Sequence, residues 1–129
     1  MSEYAFSART RVGFSDTDAQ GIVYYGRYNP YFDLARVEYL RSLDLLRTGE
    51  FVMRANDVEY FAPARFDDEL DIHVRVSRIG TTSITYEFAA HLADGTLAVT
   101  AHQTLVNIDP VTRKPVPVPD RYREKLGVG

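Results

Sequence analysis

The sequence predicts an α+β fold in which a five-stranded antiparallel sheet wraps around one long central helix. Apolar residues recur at spacings of three and four between about Tyr24 and Leu46, which predicts an amphipathic helix. Alternation of apolar and polar residues marks strands before and after this helix. The turn pair Asp94-Gly95 joins two of these strands directly. Because one helix cannot cover a large flat sheet, the sheet is expected to curl around it.

The first strand is predicted from Phe6 to Phe14, before the helix. A serine and two arginines alternate with its other residues, so one face of the strand is expected to contact water. The residues expected to share the opposite face are Phe6, Ala8, Thr10, Val12 and Phe14. Residues 15–21 are rich in turn formers and are predicted to form a loop.

The apolar stripe of the predicted helix consists of Tyr28, Tyr31, Phe32, Ala35, Tyr39 and Leu43. Pro30 leaves two starting points open for this helix. Asn29 could be the N-cap, with Pro30 at the first helical position. Alternatively the helix begins near Tyr25, and Pro30 lies early in it and removes one hydrogen bond.

Four strands are predicted after the helix, over residues 52–61, 70–77, 84–92 and 97–108. The prolines of segment 110–119 end the sheet, and Asp120 is expected to cap a short helix that ends at Gly127. A sheet edge with unpaired backbone groups invites pairing with a second chain. We therefore expect a homo-oligomer.

Length and composition suit one domain over residues 1–129, with a single core. The net charge of −3 argues against general nucleic-acid binding. The absence of cysteine excludes disulfides, thiolate catalysis and cysteine metal sites. No signal peptide is recognisable, and no stretch approaches the ~20 apolar residues of a membrane helix. A cytoplasmic location without membrane contact is expected by default.

The loop before the helix carries two carboxylates, Asp16 and Asp18, and then Gly21. A helix start exposes unpaired N–H groups, which can polarise a carbonyl and stabilise an oxyanion. A carboxylate beside such a helix start can act as nucleophile or as general base toward water. By residue type alone, however, two Asp residues in such a turn are more often caps and turn formers.

Segment 14–28, FSDTDAQGIVYYGRY, resembles the signature of the 4-hydroxybenzoyl-CoA thioesterase family of the hotdog superfamily. The resemblance extends through segments 32–36 and 60–64, and the predicted order of elements matches the hotdog fold. It implies hydrolysis of an acyl-CoA thioester to a carboxylic acid and free CoA. It further implies that Asp18 is the catalytic carboxylate and that the Tyr25 amide, at the helix start, polarises the thioester carbonyl.

The same resemblance implies no metal or organic cofactor and a homodimer or homotetramer with active sites between subunits. Many relatives that hydrolyse short acyl-CoAs carry His at the position of Tyr25. The tyrosine here is shared with the 4-hydroxybenzoyl-CoA enzyme and is a weak indication of a larger or aromatic acyl group.

Substrate contacts are expected from Tyr24, Gly26 and Tyr60, with Phe61 beside Tyr60 in the acyl pocket. Ordinary packing explains these aromatic residues equally well. The CoA phosphates suit arginine and lysine. Candidates are Arg75, Arg78, Arg113 and Lys114, and the family's use of the turn after the third strand favours Arg78, with Thr82 nearby.

Asp33 is a rival carboxylate, because another hotdog branch places its acid about two turns into the helix. Asp16 is expected to form the turn or to support the site. His73, His91 and His102 lack metal-ligand spacing and are expected at the surface. The alternative functions are an acyl-CoA or acyl-carrier-protein hydratase, which would need a histidine near the loop, and a non-catalytic acyl-CoA binding protein.

Overall fold

A computed structural model describes residues 4–126 of the chain. Its strands are β1 (Phe6–Arg11), β2 (Phe51–Tyr60), β3 (Glu69–Ile79), β4 (Ser83–Leu92) and β5 (Leu97–Asn107). They form one antiparallel sheet of five strands in the order β1-β3-β4-β5-β2. The predicted sheet is confirmed, and β1 and β2 are its two edges.

The central helix α1 spans Tyr28–Ser42 and follows a single 3₁₀ turn, Tyr25–Arg27. The predicted helix, from about residue 24 to 46, is too long at both ends. After Ser42 the chain leaves the helix, and Asp44 adopts a positive φ of 58°. Leu43 and Leu46 lie beyond the helix end and pack against the core, so they continue the apolar pattern without continuing the helix.

Pro30 is the third residue of α1, and Arg27 is the residue that precedes the helix. Of the two starting points left open, an N-cap at Asn29 is therefore wrong, and a start near Tyr25 with Pro30 early in the helix fits once the 3₁₀ turn is counted with α1. Proline is tolerated at this position because the first N–H groups of a helix have no intrahelical partner.

Helix α1 packs on the inner face of the sheet, mainly against β1 and β3. The apolar stripe faces inward as the sequence predicts, since Phe32 and Ala35 are completely buried. Phe32 meets Phe88 of β4 with ring centroids 5.0 Å apart. This packing fixes the helix start above one end of the sheet.

Strand β1 ends at Arg11, and its expected continuation to Phe14 is wrong. The chain instead forms a 3₁₀ turn over Phe14–Asp16, and the Phe14 side chain is 76% exposed. Pairing with β3 stops where β3 begins, at Glu69. Beyond that point no neighbouring strand holds the chain extended, and Phe14 packs on Phe66 in the adjacent turn, with ring centroids 5.7 Å apart.

A second helix, α2, spans Asp120–Leu126. Its predicted end at Gly127 lies outside the described residues. The Tyr122 hydroxyl donates hydrogen bonds of 3.3 Å to the Leu45 carbonyl and 2.8 Å to the Thr48 carbonyl. These bonds dock α2 on the segment that follows α1. No helix within residues 4–126 has the length and apolar character needed to span a membrane.

Candidate active site

A short hairpin carries Asp18 in front of the helix start. Thr17 and Val23 pair across it. The Asp18 N–H donates to the Ile22 carbonyl at 2.9 Å, and the Gly21 N–H donates to the Asp18 carbonyl at 2.9 Å. Gly21 adopts a φ of +79°, which glycine accepts without strain. The predicted loop is therefore a closed turn of defined shape.

The Asp18 carboxylate is held on one oxygen and left open on the other. Its Oδ1 accepts the N–H of Gln20 at 2.8 Å and, more weakly, that of Ile22 at 3.4 Å. Its Oδ2 makes no hydrogen bond with any of residues 4–126. The side chain is half-buried. The backbone therefore orients this carboxylate, and its Oδ2 stays available to accept a proton or to attack a substrate.

The 3₁₀ turn before α1 presents two unpaired amides. Within the described part of the chain, the N–H groups of Tyr25 and Gly26 make no hydrogen bond. A Cβ built at Gly26 would meet nothing within 4 Å, so space is open beside these amides. Donors at the positive end of a helix can stabilise a developing oxyanion.

A cavity of about 220 Å³ lies against this turn. Its lining residues are Ile22, Val23, Tyr25, Tyr28, Tyr60, Phe61, Ala62 and Pro63. The Tyr25 and Tyr60 rings are in contact, with centroids 4.6 Å apart. Asp18 is not a lining residue, but Ile22, its hydrogen-bonding partner, is one. The cavity is mostly apolar and suits an acyl group.

Of the predicted binding residues, Tyr60 and Phe61 line the cavity, whereas Tyr24 and Gly26 are exposed beside it. Arg78 and Thr82 lie at the opposite end of β3 from the Asp18 hairpin. The nine positions from Glu69 to Arg78 correspond to roughly 30 Å of strand. The structure therefore does not bring Arg78 and Thr82 to this cavity.

Asp16 joins the loop to the helix, a contact that the sequence analysis did not foresee. Its Oδ1 accepts two hydrogen bonds from Arg27, at 3.0 Å from Nε and 2.8 Å from Nη2. Its Oδ2 accepts the Tyr31 hydroxyl at 2.5 Å. The Tyr31 hydrogen bond, followed by the Arg27 contacts, lowers the pKa of the Asp16 carboxyl below its ordinary value. Burial and the Asp16 carboxylate raise the pKa of Tyr31 well above its ordinary range.

The rival carboxylate, Asp33, lies on the surface of α1. Its side chain is 51% exposed and forms an ion pair with Arg36 at 2.9 Å. Asp33 does not line the cavity. Its surroundings are those of a helix-surface ion pair.

The three histidines lie on the outer face of the sheet. His102 is exposed and contacts Glu87 at 2.8 Å. His73 and His91 are half-buried on this face and pack edge to face, with ring centroids 5.2 Å apart. They shield each other because they are neighbours on adjacent strands. Residues 4–126 contain no cluster of three or more side chains suited to a metal ion.

A sequence model of the thioesterase-like superfamily matches residues 12–126, which is most of the chain. The chain belongs to the thioesterase-like superfamily. This membership confirms the predicted hotdog fold and the prediction that the chain is an enzyme of the thioester hydrolase class.

Individual members of the thioesterase-like superfamily match over nearly the whole chain. The acyl-CoA thioester hydrolase YbgC of Escherichia coli is 34% identical over 125 residues, which cover 92% of this chain and 93% of that protein. The acyl-CoA thioesterase YbgC of Haemophilus influenzae is 37% identical over 94 residues, 67% of this chain and 69% of that protein. A thioesterase from Thermus thermophilus, solved with coenzyme A and zinc, superposes with a TM-score of 0.85. It is 29% identical, and the match covers 95% of this chain and 98% of that one.

Proposed function

We propose that this chain hydrolyses acyl-CoA thioesters, with Asp18 as the reacting carboxylate. The observation that carries the proposal is the placement of a half-open carboxylate in a hairpin that leads directly to the unpaired amides at the start of α1. The names of the Escherichia coli and Haemophilus influenzae relatives, which specify acyl-CoA thioesters, support this substrate class.

In the proposed reaction, the thioester carbonyl accepts a hydrogen bond from the Tyr25 N–H, and Gly26 leaves space for its approach. Asp18 then follows one of two routes. As a general base, it takes a proton from a water molecule that attacks the carbonyl carbon. As a nucleophile, it attacks that carbon itself, and water later hydrolyses the resulting anhydride. Both routes break the C–S bond, and the leaving CoA thiolate takes up a proton supplied by the water, so the products are a carboxylic acid and CoA.

The acyl group is proposed to occupy the aromatic cavity beside Tyr25, against Tyr60. Four aromatic side chains in its lining support a preference for a compact or aromatic acyl group. Hydrolysis of 4-hydroxybenzoyl-CoA itself stays a prediction. Tyr24 is proposed to contact the substrate from the exposed side of the turn.

CoA phosphates are proposed to contact Arg78 and Thr82 of another copy of this chain, because these residues lie far from the hairpin along β3. This contact requires a homodimer or homotetramer. Within residues 4–126, β2 pairs with β5 alone, and its other edge supports such self-association. A cytoplasmic location stays a prediction as well.

The hydratase alternative receives no support from the geometry of the described residues. None of the three histidines lies in the hairpin, the 3₁₀ turn or the cavity lining. The acyl-CoA binding alternative differs from the proposal only in turnover.

The direct test is CoA release from a panel of acyl-CoAs that runs from acetyl to palmitoyl and includes benzoyl, hydroxybenzoyl and phenylacetyl thioesters. The proposal predicts turnover, with the highest kcat/KM for a compact or aromatic acyl group. Tight binding of a panel member without CoA release would contradict the proposal and show a non-catalytic acyl-CoA binding protein instead.

A further inference from the structure

We propose that the Asp16 carboxylate positions the reacting groups by clamping the Asp18 hairpin to the start of α1, an inference that rests on the proposed function. Asp16 lies two positions before Asp18, at the end of the Phe14–Asp16 turn. Each of its carboxylate oxygens accepts a hydrogen bond from the helix side, one from Arg27 and the other from Tyr31. Its backbone carbonyl also accepts the Tyr24 N–H at 3.1 Å.

The clamp closes a loop around both reacting groups. Asp16 and Arg27 are 11 positions apart in the chain, and Asp18 and the Tyr25 amide both lie between them. Inside this loop, hydrogen bonds between Asp18 and Ile22 fix the hairpin. A loop with fixed ends and a fixed interior leaves the carboxylate little freedom to move relative to the amide, and such orientation lowers reaction barriers.

No other side-chain hydrogen bond in the described structure joins the hairpin to the helix. Apart from the Tyr24 N–H bond to the Asp16 carbonyl, the hairpin's remaining ties run to segment 64–66. There the Val23 N–H donates to the Ala64 carbonyl at 2.9 Å, and the Phe66 N–H donates to the Gly21 carbonyl at 3.2 Å. Without the Asp16 side-chain contacts, the hairpin would be held to the helix start, within the described residues, by the chain itself and the Tyr24 N–H bond to the Asp16 carbonyl, so the position of Asp18 relative to the Tyr25 amide would be less restrained.

The clamp is shielded and charge-assisted, which makes it firmer than an exposed ion pair. The Asp16 side chain is only 16% exposed, compared with 46% for Arg27. Hydrogen bonds to an ionised carboxylate are shorter and stronger than those between neutral groups. The Tyr31 ring is also buried, so its hydroxyl is held in place by packing.

Tyr31→Phe tests the clamp because it removes one hydrogen bond and keeps the ring. Tyr39→Phe is the matched control. Tyr39 is on the same helix and is 7% exposed, as Tyr31 is, and its hydroxyl has no hydrogen-bond partner within residues 4–126. The inference predicts that Tyr31→Phe lowers kcat about tenfold, with KM within about twofold of wild type. Tyr39→Phe should leave both constants unchanged, and equal kinetics in the two variants would overturn the inference.

Amide hydrogen exchange measured by NMR separates the clamp from the proposed reaction. In Tyr31→Phe the Tyr24 amide, which bonds to the Asp16 carbonyl, should exchange at least about tenfold faster, while Val99 in the sheet core is unchanged. If the wild type releases no CoA, the proposed function fails, and only amide hydrogen exchange then tests the clamp. Faster exchange of the Tyr24 amide in Tyr31→Phe would then show that the clamp holds the hairpin in the fold. An unchanged exchange rate would contradict the clamp.

Discussion

The Tyr60 hydroxyl donates a 3.2 Å hydrogen bond to the backbone carbonyl of Tyr25. The same tyrosine packs its ring against the Tyr25 ring and lines the cavity. A residue at the end of edge strand β2 therefore holds the Tyr25–Gly26 peptide, next to the Tyr25 N–H that is proposed to polarise the thioester carbonyl. The acyl pocket and the oxyanion donor share one structural support.

Replacing Tyr60 by phenylalanine should weaken catalysis without weakening binding. The ring contact with Tyr25 is kept and one hydrogen bond is lost, which is worth about 0.5–1.5 kcal/mol. We expect kcat to fall by about twofold to tenfold, with KM nearly unchanged and the melting temperature lowered by no more than a few degrees. Steady-state CoA release and thermal unfolding measure these quantities. An effect confined to KM would show that Tyr60 only binds the acyl group.

Gly26→Ala should lower activity without lowering stability. A methyl group at Gly26 has open space and meets no protein atom, so the free energy of unfolding should stay within about 0.5 kcal/mol of wild type. The same methyl group would crowd a carbonyl that approaches the amides of Tyr25 and Gly26, so kcat/KM should fall. Wild-type kcat/KM in this variant would place the substrate carbonyl elsewhere.

Gly21→Ala provides the contrasting control, since it strains the hairpin. Gly21 also has open space, but its φ of +79° is unfavourable for alanine by roughly 1 kcal/mol. Chemical denaturation should show this loss of stability, unlike in Gly26→Ala. Equal stability of the two variants would contradict the turn geometry described for the hairpin.

The Asp16 clamp should contribute stability that depends on pH. Because the folded protein lowers the pKa of Asp16, the unfolded chain takes up this proton first as pH falls. The contribution is complete above the unfolded pKa of about 3.9 and is lost as pH falls through the lower folded value.

The measurement is the difference in free energy of unfolding between wild type and Asp16→Asn, by urea denaturation at several pH values. This difference should be constant near neutral pH and shrink below about pH 4. Using the difference removes the contributions of the other carboxylates. A difference that stays constant down to about pH 2 would show that ionised Asp16 does not stabilise the fold.

Periodicity in the sequence was sufficient for β1, β3, β4, β5 and the buried face of the helix, because those patterns arise from burial against one core. The segment of β2 is less regular, since most of its residues are exposed at the sheet edge. The ends of the strands and of the helix were harder to predict. Phe14 continues the alternation of β1, yet no strand pairs with it, and Leu46 continues the helical pattern beyond the helix. Apolar spacing reports burial, whereas the end of an element depends on its neighbours.

The candidate site was predictable in its local part and not in its long-range part. The hairpin and the helix start are adjacent in sequence, and a resemblance to known thioesterases marks Asp18 and Tyr25. Arg27 and Tyr31 were missed as partners of Asp16, because an ion pair and a buried hydroxyl leave no periodic signal. Arg78 was placed by analogy alone, and its separation from the hairpin along β3 becomes visible only once the strand register is known.

The most direct test of the account is the kcat for CoA release in Asp18→Asn, beside Asp33→Asn as the matched control. The first change removes the charge of the hairpin carboxylate, and the second removes that of the exposed carboxylate on α1. The account predicts a loss of roughly 100-fold or more in Asp18→Asn with an unchanged melting temperature, and near wild-type turnover in Asp33→Asn. Wild-type turnover in Asp18→Asn, or its loss in Asp33→Asn, would contradict the assignment of Asp18 as the reacting carboxylate.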